Sequence, residues 1–183
     1  KNRYLITISS AMKGNRAEVI IKYDLKDEKQ KNIAAYMIVY SFDGDGTIIV
    51  QNEYNKLLTD LPETPRIGLN FQIDKTYDQM SWYGKGPYES YWDRKTGAKV
   101  GTYKGSVSDQ YWAYLRPQEN GNKSDVRWVS FTNAAGKGIQ IAGLPTVDVS
   151  AHHQIIEDFE AFERNYVHGR DDDSIKNRHT IDV

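Results

Sequence analysis

Residues 17–26 alternate along their length: Val19, Ile21, Tyr23 and Leu25 stand between Ile20, Lys22, Asp24 and Lys26. A two-residue period puts every second side chain on one face, so the stretch predicts a strand with one face buried. Tyr36, Ile38, Tyr40 and Phe42 repeat the pattern, with Tyr4 to Ile8 before and Thr47 to Tyr54 after. The connections are Lys13-Gly14-Asn15, Asp27 to Asn32 and Asp43-Gly44-Asp45-Gly46, all turn-rich. Connections that short leave antiparallel pairing as the solution, and residues 1–60 predict a β-meander.

Leu61 to Arg66 is a proline-marked crossing, too short and too apolar for a flexible tether. Ile67, Leu69, Phe71 and Ile73 then alternate with Gly68, Asn70, Gln72 and Asp74, which predicts the start of a second sheet. Met80 to Tyr83, Gln110 to Arg116, Asp125 to Thr132 and Gly138 to Ala142 supply further strands, with Gly136-Lys137-Gly138 as a hairpin turn. From Ser150 the period changes. Ile155, Ile156, Phe159 and Phe162 fall on a helical stripe, predicting one short helix over 154–164. Asp171-Asp172-Asp173 reads as a solvated loop and Lys176 to Val183 as the beginning of a last strand. The fold class is all-β, a large antiparallel β-sandwich in one domain over 1–183: meander 1–60, a second β region 61–149, and helix plus first closing strand 150–183.

A length of 183 residues allows one large domain with a sizeable core, and 13 tyrosines, 4 tryptophans and 14 glycines suit sheets with many turns. The net charge of −1, with Lys and Asp interleaved, gives no field to gather nucleic acid or an anionic membrane. The absence of cysteine excludes disulfide and thiolate chemistry. Ile33 to Tyr40, the longest apolar run, falls well short of a bilayer span. Position 1 is Lys, and a strand follows almost at once, so the chain reads as an excised piece whose parent is secreted, periplasmic or cytoplasmic, the compartment staying open.

All four tryptophans lie in residues 80–128: Trp82, Trp92, Trp112 and Trp128. Between them stand a Gly84-Lys85-Gly86-Pro87 turn and two polar clusters, Glu89-Ser90-Tyr91-Trp92-Asp93-Arg94 and Arg116-Pro117-Gln118-Glu119-Asn120-Gly121. Aromatic faces pack on sugar C–H groups while carboxylates and amides bind hydroxyls, so such a stretch can wall a sugar site; it can equally wall a core. Trp82 and Trp128, on alternating strands, are expected in the core, and Trp92 and Trp112, beside loops, face a sugar or a partner domain.

Other constellations carry less. Asp43-Gly44-Asp45-Gly46 begins like a calcium loop but lacks the remaining ligands and the closing Glu, leaving a plain turn. His152 and His153 are adjacent and point opposite ways on a strand, and His168 and His179 have no ligand spacing. Gly84-Lys85-Gly86 fails the phosphate-loop spacing, and Asn122-Lys123-Ser124 matches a glycosylation acceptor that chance often supplies. Retaining glycoside hydrolysis needs two carboxyl groups roughly 5–5.5 Å apart; Glu89 with Asp93, or Glu119 with Asp125, are the sequence-near pairs.

The order W-x-G-x-G-P-x-E-x-Y-x-D-R from Trp82 to Arg94, a Gly101-Thr102-Tyr103 turn, then P-Q-E-N-G over 117–121 and D-V-R-W over 125–128 resembles a known domain. It is the domain after the catalytic barrel in bacterial β-galactosidases of glycoside hydrolase family two, called the small chain in split enzymes. Leu61-Pro62-Glu63-Thr64-Pro65-Arg66-Ile67-Gly68 resembles that family's L-P-x-x-P-R-x-G lead-in, and the likeness continues to about Val149. The resemblance implies a galactose-mutarotase-like supersandwich that packs on the barrel of the parent chain or large subunit and helps bind a galactoside. It puts the catalytic glutamates in the barrel, so this stretch is expected to be inactive alone. It implies no cofactor here and allows a divalent cation in the parent.

With catalysis placed elsewhere, Glu89, Asp93, Arg94 and Arg127, and the Glu119-Asn120 pair, are expected to lock loops, the carboxylates accepting backbone N–H bonds or pairing with arginine, with Arg66 and Arg116 as further cations. On the family reading Glu119, Asn120 and Gly121, with Trp92 and Trp112, lie at the active-site mouth. Gly121 to Ser124 is either a hinge with a mobile polar tip or an ordinary exposed turn. In relatives, the segment resembling Arg178 to Val183 precedes a block ending in a sugar-lining tryptophan, so truncation is expected. A free-standing carbohydrate-binding module is the alternative, and a mutarotase-like epimerase a third reading for which the His-bearing motifs are missing. A surface that docks on other domains should leave an apolar patch and favour self-association into a homo-oligomer.

Overall fold

The computed structural model describes residues 3–64, 66–112, 114, 118–160 and 180–183. The chain is nearly all-β, its sheets are antiparallel as a β-sandwich requires, and by internal packing it divides into two units, Lys1–Ile67 and Gly68–Val183. Among the described residues no helix is long and apolar enough to cross a membrane.

The first unit is a meander of four strands in sequence order: β1 (Arg3–Lys13), β2 (Arg16–Lys26), β3 (Asn32–Phe42) and β4 (Ile48–Lys56). The two alternating stripes meet in register: Val19 opposes Tyr40, Ile21 opposes Ile38 and Tyr23 opposes Tyr36. Opposed residues share a face, and this face buries Ala34, Tyr36 and Ile38. The Tyr36 hydroxyl donates to Asn52 Oδ1 at 2.7 Å. Continuing outward, the same face carries Leu5, Ile8 and Met12 of β1, which stay exposed. The 43–46 connection is a plain hairpin turn: Asp43 pairs with Arg16 at 2.6 Å, and Asp45 accepts the Thr47 N–H at 2.8 Å.

The second unit holds β5 (Gln72–Asp74), β6 (Gln79–Gly86), β7 (Lys99–Ser106), a 3₁₀ turn (Ser108–Gln110), β8 (Lys123–Thr132), β9 (Gly138–Val149), helix α1 (Ile156–Glu160) and β10 (Thr180–Asp182). The main sheet has the order β7-β6-β8-β9, and β5 pairs with β10. Met80 opposes Phe131 and Trp82 opposes Val129, so these four point one way. They form one core with Val107, Val126, Val149, Ala151 and, from β10, Ile181, and Ile73 of β5 packs against it.

Several expectations are corrected here. Gly84-Lys85-Gly86 and Gly101-Thr102-Tyr103 are not turns: both are strand, with Gly84 opposite Gly101. A Cβ on Gly84 would lie 2.8 Å from Val126 Cα, and one on Gly101 3.0 Å from the Tyr103 hydroxyl, so close packing, not turning, requires these glycines. Gln110 lies in the 3₁₀ turn and the described residues among 111–116 are not strand. The strand predicted from Ile67 is regular only over Gln72–Asp74, and β9 runs past Ala142 to Val149. Trp128 is half-buried on the face opposite the core, across from Tyr83. Helix α1 starts at Ile156; the expected residues 161–164, the 171–173 loop, Arg116, His168 and His179 lie outside the described residues.

Candidate functional site

The 87–95 loop leaves β6 and the 111–122 stretch enters β8; buried polar atoms bind the two together. Ser90 is fully buried, and its N–H donates to the Asn122 carbonyl at 2.7 Å while Asn122 Nδ2 donates to the Ser90 carbonyl, also at 2.7 Å. The Ser124 N–H donates to Ser90 Oγ and the Ser124 hydroxyl donates to the Ser90 carbonyl, each at 3.0 Å. Buried polar groups this fully paired specify one loop shape, because breaking any bond leaves an unsatisfied atom away from water. Asp125, in the left-handed region at φ 54°, gives its N–H to Asp148 at 3.1 Å and its carboxylate to Lys95 at 2.7 Å.

Glu89 closes the same loops with charge. One carboxylate oxygen accepts the Gly121 N–H at 2.8 Å; the other takes the Tyr114 hydroxyl and lies 3.0 Å from Arg94 Nη2. Arg94 also donates to the Tyr114 oxygen at 3.2 Å and lies 4.5 Å over the Tyr91 ring. The Tyr91 hydroxyl is buried without a partner among the described residues. Burial first, then the negative Glu89, pushes its pKa up to about 12.

Beneath this lock lie two more ionisable groups. Lys123, 1% exposed, donates to the Gly121 carbonyl at 3.1 Å with its Nζ 5.2 Å from the Trp82 ring centroid. Burial pulls its pKa down to about 8 against the opposing charge of Glu89. His152 Nε2 is 2.7 Å from the Asn120 carbonyl, and a carbonyl only accepts, so Nε2 carries the proton. Nδ1 is then a buried acceptor without a partner among the described residues. Tyr111 and Phe159 stand edge-on to the ring, and burial lowers its pKa.

Residues 3–179 match the β-galactosidase small-chain family. The chain belongs to that family. It is 43% identical over 148 residues to a β-galactosidase of Priestia megaterium, covering 81% of this chain and 14% of that protein. It is 38% identical over 107 residues to one from Halalkalibacterium halodurans, covering 57% and 11%, and 32% identical over 128 residues to the β-galactosidase BgaC of Bifidobacterium adolescentis, covering 69% and 12%. The chain thus spans 14% or less of the length of these curated relatives.

Within this small-chain fold the tryptophans beside the loops are at the surface. Trp92 is 82% exposed and Trp112 50%, and Tyr88 meets Trp112 edge to face with ring centroids 6.3 Å apart. An open cleft of about 440 Å³ lies alongside, lined by Tyr88, Glu89, Arg94, Lys99 and Tyr103 among others. Of the other predicted residues, Glu119 is half-buried and Asn120 is buried, its Oδ1 accepting the Trp112 N–H at 2.9 Å and its Nδ2 donating to the Gln118 carbonyl at 3.0 Å. Asp93 is exposed, and Arg127 donates to the Asp125 carbonyl at 2.6 Å and sits over the Tyr83 ring.

The expected mobile tip is a correction. Gly121, Asn122, Lys123 and Ser124 are all buried, so they form neither a mobile tip nor an exposed turn, and the Asn122 amide is engaged rather than open to glycosylation. Sequence reasoning missed Ser90, Ser124, Lys123 and His152, whose polar side chains carry no signal of burial in sequence. Among the described residues no three His, Asp or Glu side chains gather as a metal site, and His153 instead approaches Asp78 at 3.3 Å.

Proposed function

We propose that this chain is an accessory, non-catalytic domain of a β-galactosidase that packs on the catalytic barrel of a parent chain or large subunit and helps complete a galactoside site. The observation that carries the reading is the small-chain match over nearly the whole sequence, in a chain that covers only 14% of a β-galactosidase relative. Two structural features support it. The open face of the first unit, with Leu5, Ile8 and Met12 exposed, suits a surface that another domain covers. Trp92, Trp112 and Tyr88 stand outward on loops held rigid by Glu89 and Ser90, as residues that wall a neighbour's site would. Both Glu89 oxygens are occupied by Gly121, Tyr114 and Arg94, a positioning role that leaves bond cleavage to carboxylates elsewhere.

The test is complementation. The chain alone should not hydrolyse a chromogenic β-galactoside, and adding the barrel-bearing remainder of the parent should restore turnover. Hydrolysis by the chain alone that survives repurification and disappears in a Glu89 or Glu119 variant would overturn the reading. The Tyr88–Trp112 pair beside an open cleft favours, as a second reading, a carbohydrate-binding module. Calorimetric binding of galactose or lactose to the isolated chain, without any effect of the barrel, would select it.

A further inference from the structure

Gly121 is held on three sides by ionisable side chains. Its N–H points at the Glu89 carboxylate, its carbonyl receives the Lys123 ammonium, and a Cβ in its place would lie 2.8 Å from His152 Cε1. Its φ of 74° suits glycine alone among residues packed so closely. One residue back, the Asn120 carbonyl accepts from His152, and the Asn120 side chain holds the Trp112 N–H. Lys123, Gly121, Asn120 and Trp112 are therefore connected, through two hydrogen bonds and the bonded Asn120–Gly121 pair, with Trp112 at the exposed end.

A buried ammonium is costly unless its surroundings favour the charge. Around Lys123 the favourable groups are the Gly121 carbonyl, the Trp82 ring and the negative Glu89. His152 lies close enough for the lysine charge to oppose its protonation, whereas Glu119 and Asp182 favour it. Arg94 and Tyr114 contact Glu89, and the Tyr91 ring packs against Arg94. Loss of the Lys123 proton leaves an amine that can still donate to Gly121, but it removes both the attraction to the ring and the attraction to Glu89.

We propose that Lys123 is a positioning residue: its side chain, seated between the Gly121 carbonyl and the Trp82 ring, holds the Asn120–Gly121 turn in the shape that presents Trp112, so that a change in the charge of Lys123 is felt at Trp112. That Trp112 faces a sugar rests on the function proposed above; the coupling of Lys123 to Trp112 does not.

The chain labelled with 5-fluorotryptophan gives one ¹⁹F resonance for each of its four tryptophans, assigned with Trp→Phe variants. Over pH 6.5–10, the expected result is that Trp82, which touches the lysine, and Trp112, at the end of the path, shift together with a midpoint at about 8. Lys123→Met should remove that midpoint from both. A Trp112 signal that stays flat while Trp82 titrates, or keeps its transition in Lys123→Met, overturns the proposal. If the Met variant does not fold, Glu89→Gln should move the shared midpoint to lower pH, because Glu89 favours the ammonium, and an unmoved midpoint overturns it equally. Failed complementation with the barrel would leave these resonances unchanged, so the two readings fall separately.

Discussion

The sheet of the first unit and the main sheet of the second share an antiparallel four-stranded plan but are fixed by different means. In the first, every connection is a hairpin between consecutive strands, the buried set is small, and β1 is exposed from end to end. In the second, Met80, Trp82, Val126, Val129 and Phe131 are at most 2% exposed, and bonds between residues more than thirty positions apart, such as Ser90 with Ser124 and Glu89 with Gly121, close the loops. Alternation suffices to make a sheet. A rigid loop surface needs polar closures as well.

The difference can be broken by matched substitutions. Phe131→Ala, in the core of the second unit, should cost about 3–5 kcal/mol, the range for removing a buried phenylalanine. Ile8→Ala, on a strand where Ile8 is 60% exposed, should stay within about 0.5 kcal/mol. Urea denaturation of both variants checks this, and equal losses would show that something covers the first sheet. Two glycines sharpen the point. Gly14 has φ 65° with open space around it, so Gly14→Ala should cost only the left-handed strain, about 1–2 kcal/mol. Gly121 has φ 74°, and a Cβ there would lie 2.5 Å from the Gln110 carbonyl oxygen, so Gly121→Ala adds overpacking and should cost about 2–5 kcal/mol in the same assay.

The contrast also decides what was legible from sequence. The meander was readable as consecutive antiparallel strands, because Val19 to Leu25 and Tyr36 to Phe42 carry a clean period of two; their register came from the coordinates. The second unit was readable only as strands and signature loops. Gly84 and Gly101 look like turn residues, yet serve to bring strand backbone and rings close, a need set by Val126 and Tyr103 from other strands. Lys123 at the head of a strand looks like a solvated cation, and its burial depends on Trp82 and Gly121 meeting around it. A lock at Glu89 and Arg94 was expected because carboxylates in short loops accept backbone N–H bonds or pair with arginine, whereas the Tyr114 and Gly121 partners of Glu89 required coordinates.

A smaller effect separates the two regions by pH. Folded Lys123 has its pKa at about 8, below the ordinary 10.5 of an unfolded lysine, so the folded state binds fewer protons between these values. Its contribution to stability is therefore fully present above 10.5 and is lost as pH falls through about 8. Lys123→Met lacks this dependence. The stability of the Met variant relative to wild type should be level below pH 8 and should shrink steadily above it, measured by urea denaturation at matched pH. Among the described residues of the first unit no lysine is buried.

The smallest effect on stability falls where the proposed function needs the most. Ser90 and Trp92 are two positions apart, yet Ser90 is fully buried and Trp92 is 82% exposed. The serine shapes the loop through Asn122 and Ser124; the tryptophan rests on what the loop already is. Trp92→Ala should therefore change unfolding free energy by less than about 0.5 kcal/mol, as exposed substitutions away from such networks do. Large exposed aromatics tend to dominate binding when a partner covers them, so the same variant should weaken complementation of the barrel-bearing remainder by a factor of ten or more, on the order of the 1.4 kcal/mol per decade of affinity. Unchanged complementation with unchanged stability would remove Trp92 from the interface and leave Trp112, tied to Asn120, as the aromatic that the locked loops exist to present.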